Sequence, residues 1–291
     1  MQLSRDVEDV DEKFKATPRH LLPEISAISI AGILTSIVIS SKIELETITV
    51  FPETPSGATL NMLIYVVPMA IVATVMYILV KYGLEKILKH LLKIAIVVVL
   101  FALLNWYTNA LLRMTAIPSA ILDTVLILSP ILLTILMTYV INRVTGVIQI
   151  FTVTILGAMI GTFLGTSIPT MTAVILLIGL SVYDMIAVYR GPIGKIAEKT
   201  ELETLTGATF TYMDLTVGLG DVVFYTMLAS HAMLNFGLAA YLVTSVGLLV
   251  GTFLGFKMLE RRDMFPGLPF SLISGLVLML ATAWAQGRAP L

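Results

Sequence analysis

Residues 171–190 read MTAVILLIGLSVYDMIAVYR. The stretch is long enough to cross a bilayer, which takes about 20 mostly apolar residues. Yet Asp184 stands inside it, and nothing in the run is an obvious partner for its charge. The rest of the chain has the same apolar character. Of its 291 residues 57% are hydrophobic and only 13% charged, and the mean hydropathy is +0.96. Soluble domains carry about 25% charged residues, so the composition points to lipid as the solvent. The net charge of -1 argues against a nucleic-acid partner. No cysteine is present, which excludes disulfides and thiolate metal sites. The first 20 residues, MQLSRDVEDVDEKFKATPRH, are polar and lack the apolar core of a cleavable signal peptide. They read as a cytoplasmic tail.

The apolar runs predict an all-α integral membrane protein with nine transmembrane helices. Their expected bounds are 21–40, 59–80, 91–112, 119–141, 146–164, 171–189, 215–235, 238–256 and 267–286. The first is the least regular, because Pro23 and Glu24 stand at its start. Residues 21–189 thus hold helices one to six, 190–214 form a polar cytoplasmic loop, and 215–291 hold helices seven to nine. Lysine and arginine concentrate on the cytoplasmic side of membrane proteins. All but three of the 18 here fall on one side of this arrangement; the exceptions are Lys42, Arg113 and Arg288. With nine crossings the asymmetry puts the N-terminus in the cytoplasm and the C-terminus outside.

Two runs carry glycine at every fourth position, Gly157, Gly161 and Gly165 in one and Gly247, Gly251 and Gly255 in the other. This spacing lines one helix face and lets backbones approach. Packing within the chain is the simpler reading, and a dimer contact the alternative.

A second acid lies in the seventh run, LTVGLGDVVFYTML, as Asp221. A charge at the centre of a membrane helix costs about 2.5–3.5 kcal/mol or more. Two in consecutive runs call for a reason. The sixth run ends near Tyr189 and the seventh begins near Leu215, in opposite directions, so both acids lie roughly 8–9 Å below the cytoplasmic boundary. Equal depth is what a facing pair requires. Two carboxylates a few ångströms apart share one proton. One can then activate a water against a carbonyl while the other protonates its oxygen. Such a pair needs no metal and no cofactor. No HExxH or GxSxG motif is present, and His20, His90 and His231 are scattered. Gly218, three residues before Asp221, is expected on the same helix face, where it leaves room for another backbone. Gly218 and Gly220 each weaken a helix by about 1 kcal/mol, which suits a place where a substrate must enter. Asp123 reads as interfacial, Asp214 as a helix N-cap, and Glu44, Glu46 and Glu53 as solvated. On the cytoplasmic side the last run opens with Pro266-Gly267-Leu268-Pro269. A helix-entry turn explains one proline well and two less well.

These residues resemble the presenilins and signal peptide peptidases, the GxGD intramembrane aspartyl proteases. Tyr183-Asp184 is similar to the family's YD, Gly218-Leu219-Gly220-Asp221 to its GLGD, and Pro266-Gly267-Leu268-Pro269 to its PALP element, with Gly267 where alanine is usual. The resemblance implies that Asp184 and Asp221 are the catalytic pair and that 266–269 shapes the site and contacts substrate. Tyr183, Gly218, Leu219 and Gly220 would complete the surroundings. The implied substrates are transmembrane or signal-peptide-like helices, opened locally into a strand. The cytoplasmic N-terminus and Phe224-Tyr225 are presenilin-like, whereas the 190–214 loop lacks a long insert. That suggests an archaeal-type homologue in a cell membrane, working without obligatory accessory subunits, with homo-oligomers left open. The competing expectation is an ion- or proton-coupled transporter that relays cations through the same aspartates.

Overall fold

A chain crossing lipid must satisfy its backbone hydrogen bonds internally, and long apolar runs do so as helices. The computed structural model describes residues 15–115, 119–189, 209–213, 215–260 and 265–288. After a 3-10 turn, Pro18–Leu21, come α1 (Leu22–Ser41), α2 (Pro55–Lys81), α3 (Glu85–Arg113), α4 (Ser119–Arg143), α5 (Val147–Ser167) and α6 (Thr170–Tyr189). Two short strands follow, β1 (Thr209–Tyr212) and β2 (Leu215–Gly218), then α7 (Leu219–Leu259) and α8 (Leu268–Ala285). All eight helices are long and apolar enough to cross a membrane. The chain is an integral, multi-pass membrane protein.

At 41 residues α7 is too long for one crossing. It breaks at Gly237, whose φ of 85° and ψ of -178° are not helical. Glycine reaches positive φ without steric cost. Leu228 and Leu248 both lie against Gly275 of α8, 2.8 and 2.9 Å from where its Cβ would stand. In a straight helix twenty residues would separate them by about 30 Å. The chain therefore doubles back at Gly237, and the described residues contain nine apolar helical segments. The sequence placed this break between 235 and 238.

Helix α7 is the centre of the bundle. It packs against α8, α5 and α1, while α6 packs against α2 and α8. The glycine stripes make these approaches possible. A Cβ on Gly161 would collide with the Val223 carbonyl of α7, and one on Gly251 with the Phe270 carbonyl of α8. Gly157, Gly161, Gly165, Gly247 and Gly251 thus pack against other helices of the chain, whereas a Cβ on Gly255 would meet nothing within 4 Å. α4 lies at the periphery, with Leu132 63% and Ile135 62% exposed. In a bilayer such faces meet lipid chains.

One expectation is corrected. Residues 215–218 are not the start of a helix. They pair antiparallel with 209–212, Thr209 opposite Gly218 and Tyr212 opposite Leu215. Threonine and valine fit a pleated, half-buried surface, and apolarity alone does not separate a short strand from a helix end. The all-α reading therefore gains a two-stranded sheet. Residues 1–14 of the tail, 190–208 of the loop, and Asp214 with its expected cap lie outside the described residues.

Candidate active site

Asp184 sits five residues before the end of α6. Asp221 sits in the first turn of α7, because the helix begins at Leu219. This is shallower than the six residues expected, a consequence of the strand that replaces the first helical turn. Gly218 is likewise outside the helix. It is the extended N-cap, with φ -77° and ψ 139°, so the argument from a shared helix face does not hold. Its backbone neighbour is Thr209 of β1, its partner in the strand pair, and a Cβ there would lie 3.7 Å from Asp221 Oδ2. Gly220 is exposed, with nothing within 4 Å of its Cβ position. Leu219 packs against Gly157 of α5 and fixes the start of α7. Tyr183 is half-buried beside Asp184.

Both carboxylates converge on one short segment. The backbone N–H of Leu268 donates to Asp184 Oδ2 at 3.1 Å. Gly267, one residue earlier, lies against the other acid: its Cβ position is 3.2 Å from Asp221 Oδ2. Leu268 is the first residue of α8, and a helix start leaves its N–H groups without partners inside the helix. The positive end of the helix dipole adds to the attraction. The two carboxylates lie within electrostatic reach of each other, and Glu24 lies within reach of Asp221.

Pro266, Leu268 and Pro269 are buried, and Pro269 occupies the second position of α8, where its missing N–H costs nothing. A hydroxyl cluster clamps the segment. Tyr225 Oη donates to the Gly267 carbonyl at 3.1 Å, and Ser271 Oγ lies 3.0 Å from Tyr225 Oη and 2.9 Å from Thr252 Oγ1. The Gly267 carbonyl is thus already engaged. Residues 266–269 act first as a bracket for the two acids. Tyr225 is the anchor of that bracket, a role its sequence position did not reveal.

Two spaces flank the bracket. One, of about 80 Å³, is bounded by Glu24, β2, Asp221, Tyr225 and Gly255. The other is an apolar groove of about 370 Å³ between Met185, Tyr189, Met258, Pro266, Pro269 and Phe270. Among the described residues no group of three His, Cys, Asp or Glu is arranged to hold a metal ion. His231 is a satisfied interior histidine, with Nδ1 2.9 Å from the Gly165 carbonyl and Nε2 3.2 Å from Thr170 Oγ1.

Comparison with solved structures finds the same architecture in a presenilin family intramembrane aspartate protease. In its C222 crystal form the TM-score is 0.65 at 17% identity, covering 91% of this chain and 98% of that one. For a solved structure of a presenilin family intramembrane aspartate protease in the P2 space group the values are 0.62, 16%, 91% and 96%. At such identity the likeness shows the fold. In sequence the chain is 30% identical over 122 residues to Presenilin-B of Dictyostelium discoideum, covering 38% of this chain and 26% of that protein. The match thus spans about a quarter of that relative's length. No family model matches.

Proposed function

We propose, from the premise that this chain has the presenilin-family fold, that it is an intramembrane aspartyl protease of the GxGD type. The observation that carries the reading is the convergence of Asp184 and Asp221 on the consecutive residues Gly267 and Leu268. A water held between the two carboxylates is the nucleophile. One carboxylate takes a proton from the water as its oxygen attacks the peptide carbonyl carbon, and the other protonates the carbonyl oxygen. Proton transfer to the amide nitrogen of the resulting diol then breaks the C–N bond. The products are a new carboxyl group and a new amine, and the pair again holds one proton.

Nine crossings, with the N-terminus in the cytoplasm, put this chemistry near the inner surface. The substrate is a transmembrane or signal-peptide-like helix. Its scissile bond is hidden by its own hydrogen bonds, so it must open into a strand. The β1–β2 pair runs straight into Asp221 and presents strand edges, and an extended peptide adds to such an edge through main-chain hydrogen bonds. The groove at Met185 and Phe270 is apolar enough to receive side chains of a membrane segment. Because the Gly267 carbonyl already accepts from Tyr225, the strand edges take the substrate backbone while 266–269 shapes the site and contacts substrate.

Incubation of the purified protein in detergent with a single-pass transmembrane peptide tests the proposal. Two fragments whose masses add up to the peptide plus one water are expected. A peptide left intact by folded protein contradicts it.

A further inference from the structure

Glu24 belongs to neither the dyad nor its bracket. It lies in the first turn of α1, where an acid commonly sits because the helix dipole favours it. Such an acid is ordinarily wet. Glu24 is only 2% exposed, and its Oε2 has no hydrogen-bond partner among the described residues. A buried carboxylate oxygen without a partner is costly. It is retained where something that comes and goes completes it.

Glu24 borders the smaller of the two cavities. Asp221 forms part of the same wall, β2 contributes Leu215 and Val217, and Gly255 keeps the space open. The cavity measures about 80 Å³, whereas one water needs only about 10–15 Å³. No lysine, arginine or histidine is among its described lining residues. The space is therefore acidic and mainly apolar, matched to the methylene stem and cationic tip of a long basic side chain. It adjoins the strand along which an extended substrate would lie. It also lies on the face that the charge asymmetry assigns to the cytoplasm, where membrane segments carry their lysines and arginines.

We propose that the Glu24 cavity is a specificity pocket for a lysine or arginine side chain of the substrate, with Glu24 as its counter-ion. The inference rests on the protease reading. It means that the flanking basic residue of a membrane segment sets where the chain is cut.

The test uses the full-length protein and a series of transmembrane peptides with lysine, or the uncharged and nearly isosteric norleucine, at successive positions around the cut. At one position wild type is expected to prefer lysine by about ten-fold or more in kcat/KM, a difference typical of a desolvated charge pair. In Glu24→Gln that ratio falls to near one, and in Glu24→Lys glutamate at that position becomes the better residue. Thermal unfolding of each variant checks its folding. A wild type that cuts the series without any lysine preference overturns the pocket and leaves the protease reading standing. So does a Glu24→Gln variant that slows every peptide alike, because Glu24 then acts through Asp221. A wild type that cuts no peptide overturns both.

Discussion

At the scale of single residues, Gly267 is the most sensitive neutral position. Its backbone, φ -77° and ψ -36°, suits any residue, so a substitution acts only through space. A Cβ would stand 3.2 Å from Asp221 Oδ2, tight enough to need a small shift. Gly267→Ala, the residue usual in the resembled element, is expected to keep activity within a few-fold. Gly267→Val pushes branched methyls at the carboxylate, and about a 10²-fold loss of cleavage is expected, the effect of misplacing a reacting group by about 1 Å. Equal activity in both variants would contradict the bracket geometry. The aspartates were legible in sequence because a charge within an apolar run needs a reason. Glu24 carried the same signal, but its position at a run's start made it look like a boundary. The Tyr225–Ser271–Thr252 cluster gave no signal, since hydroxyls in membrane helices commonly bond to their own helix, and only packing brings these three together.

At the scale of elements, the bracket depends on how α7 and α8 are held. Tyr225→Phe deletes one of the two donors to the Gly267 carbonyl, the other being Ser271 Oγ at 3.1 Å. It is expected to cost about 1 kcal/mol of stability, read as a lower thermal midpoint in detergent, and to slow cleavage as the bracket loosens. Along α5, Gly161→Leu drives a side chain into the α7 backbone at Val223 and Met227. A loss of about 1–3 kcal/mol or more is expected. Gly255→Ala, which meets nothing within 4 Å, is expected to leave the midpoint unchanged, and a similar loss in both would refute the packing account. Helices were easy to read, because uninterrupted apolar runs admit little else in lipid. The strand Leu215–Gly218 was not, because four apolar or small residues carry no usable period and their partner at 209–212 lay in what read as loop.

For the whole molecule, the arrangement of crossings is open to direct chemistry. The chain has no cysteine, so each introduced thiol is unique. Val50 and Tyr82 are 72% and 71% exposed, and Gln286 is exposed beyond α8. With nine crossings, an impermeant thiol reagent added outside is expected to label Val50→Cys and Gln286→Cys, and to reach Tyr82→Cys only after the membrane is opened. Labelling of Val50→Cys and Gln286→Cys from opposite sides would mean an even number of crossings and would separate the reversal at Gly237 from a true return through the bilayer. The membrane-crossing character of the helices was legible because apolar length sets it. The convergence of α6, α7 and α8 on one point was legible only as equal depth, since direction around a helix axis depends on neighbours that sequence does not display.

The central claim is that Asp184 and Asp221 work as one unit. Groups that act together show strong non-additivity, so the direct measurement is cleavage of one transmembrane peptide by Asp184→Asn, Asp221→Asn and the double variant, each confirmed as folded. Each single change is expected to lower the rate by at least about 10³-fold, and the double change to lower it no further. A single variant that still cleaves at a rate near wild type, or losses that multiply in the double variant, would contradict a shared catalytic pair.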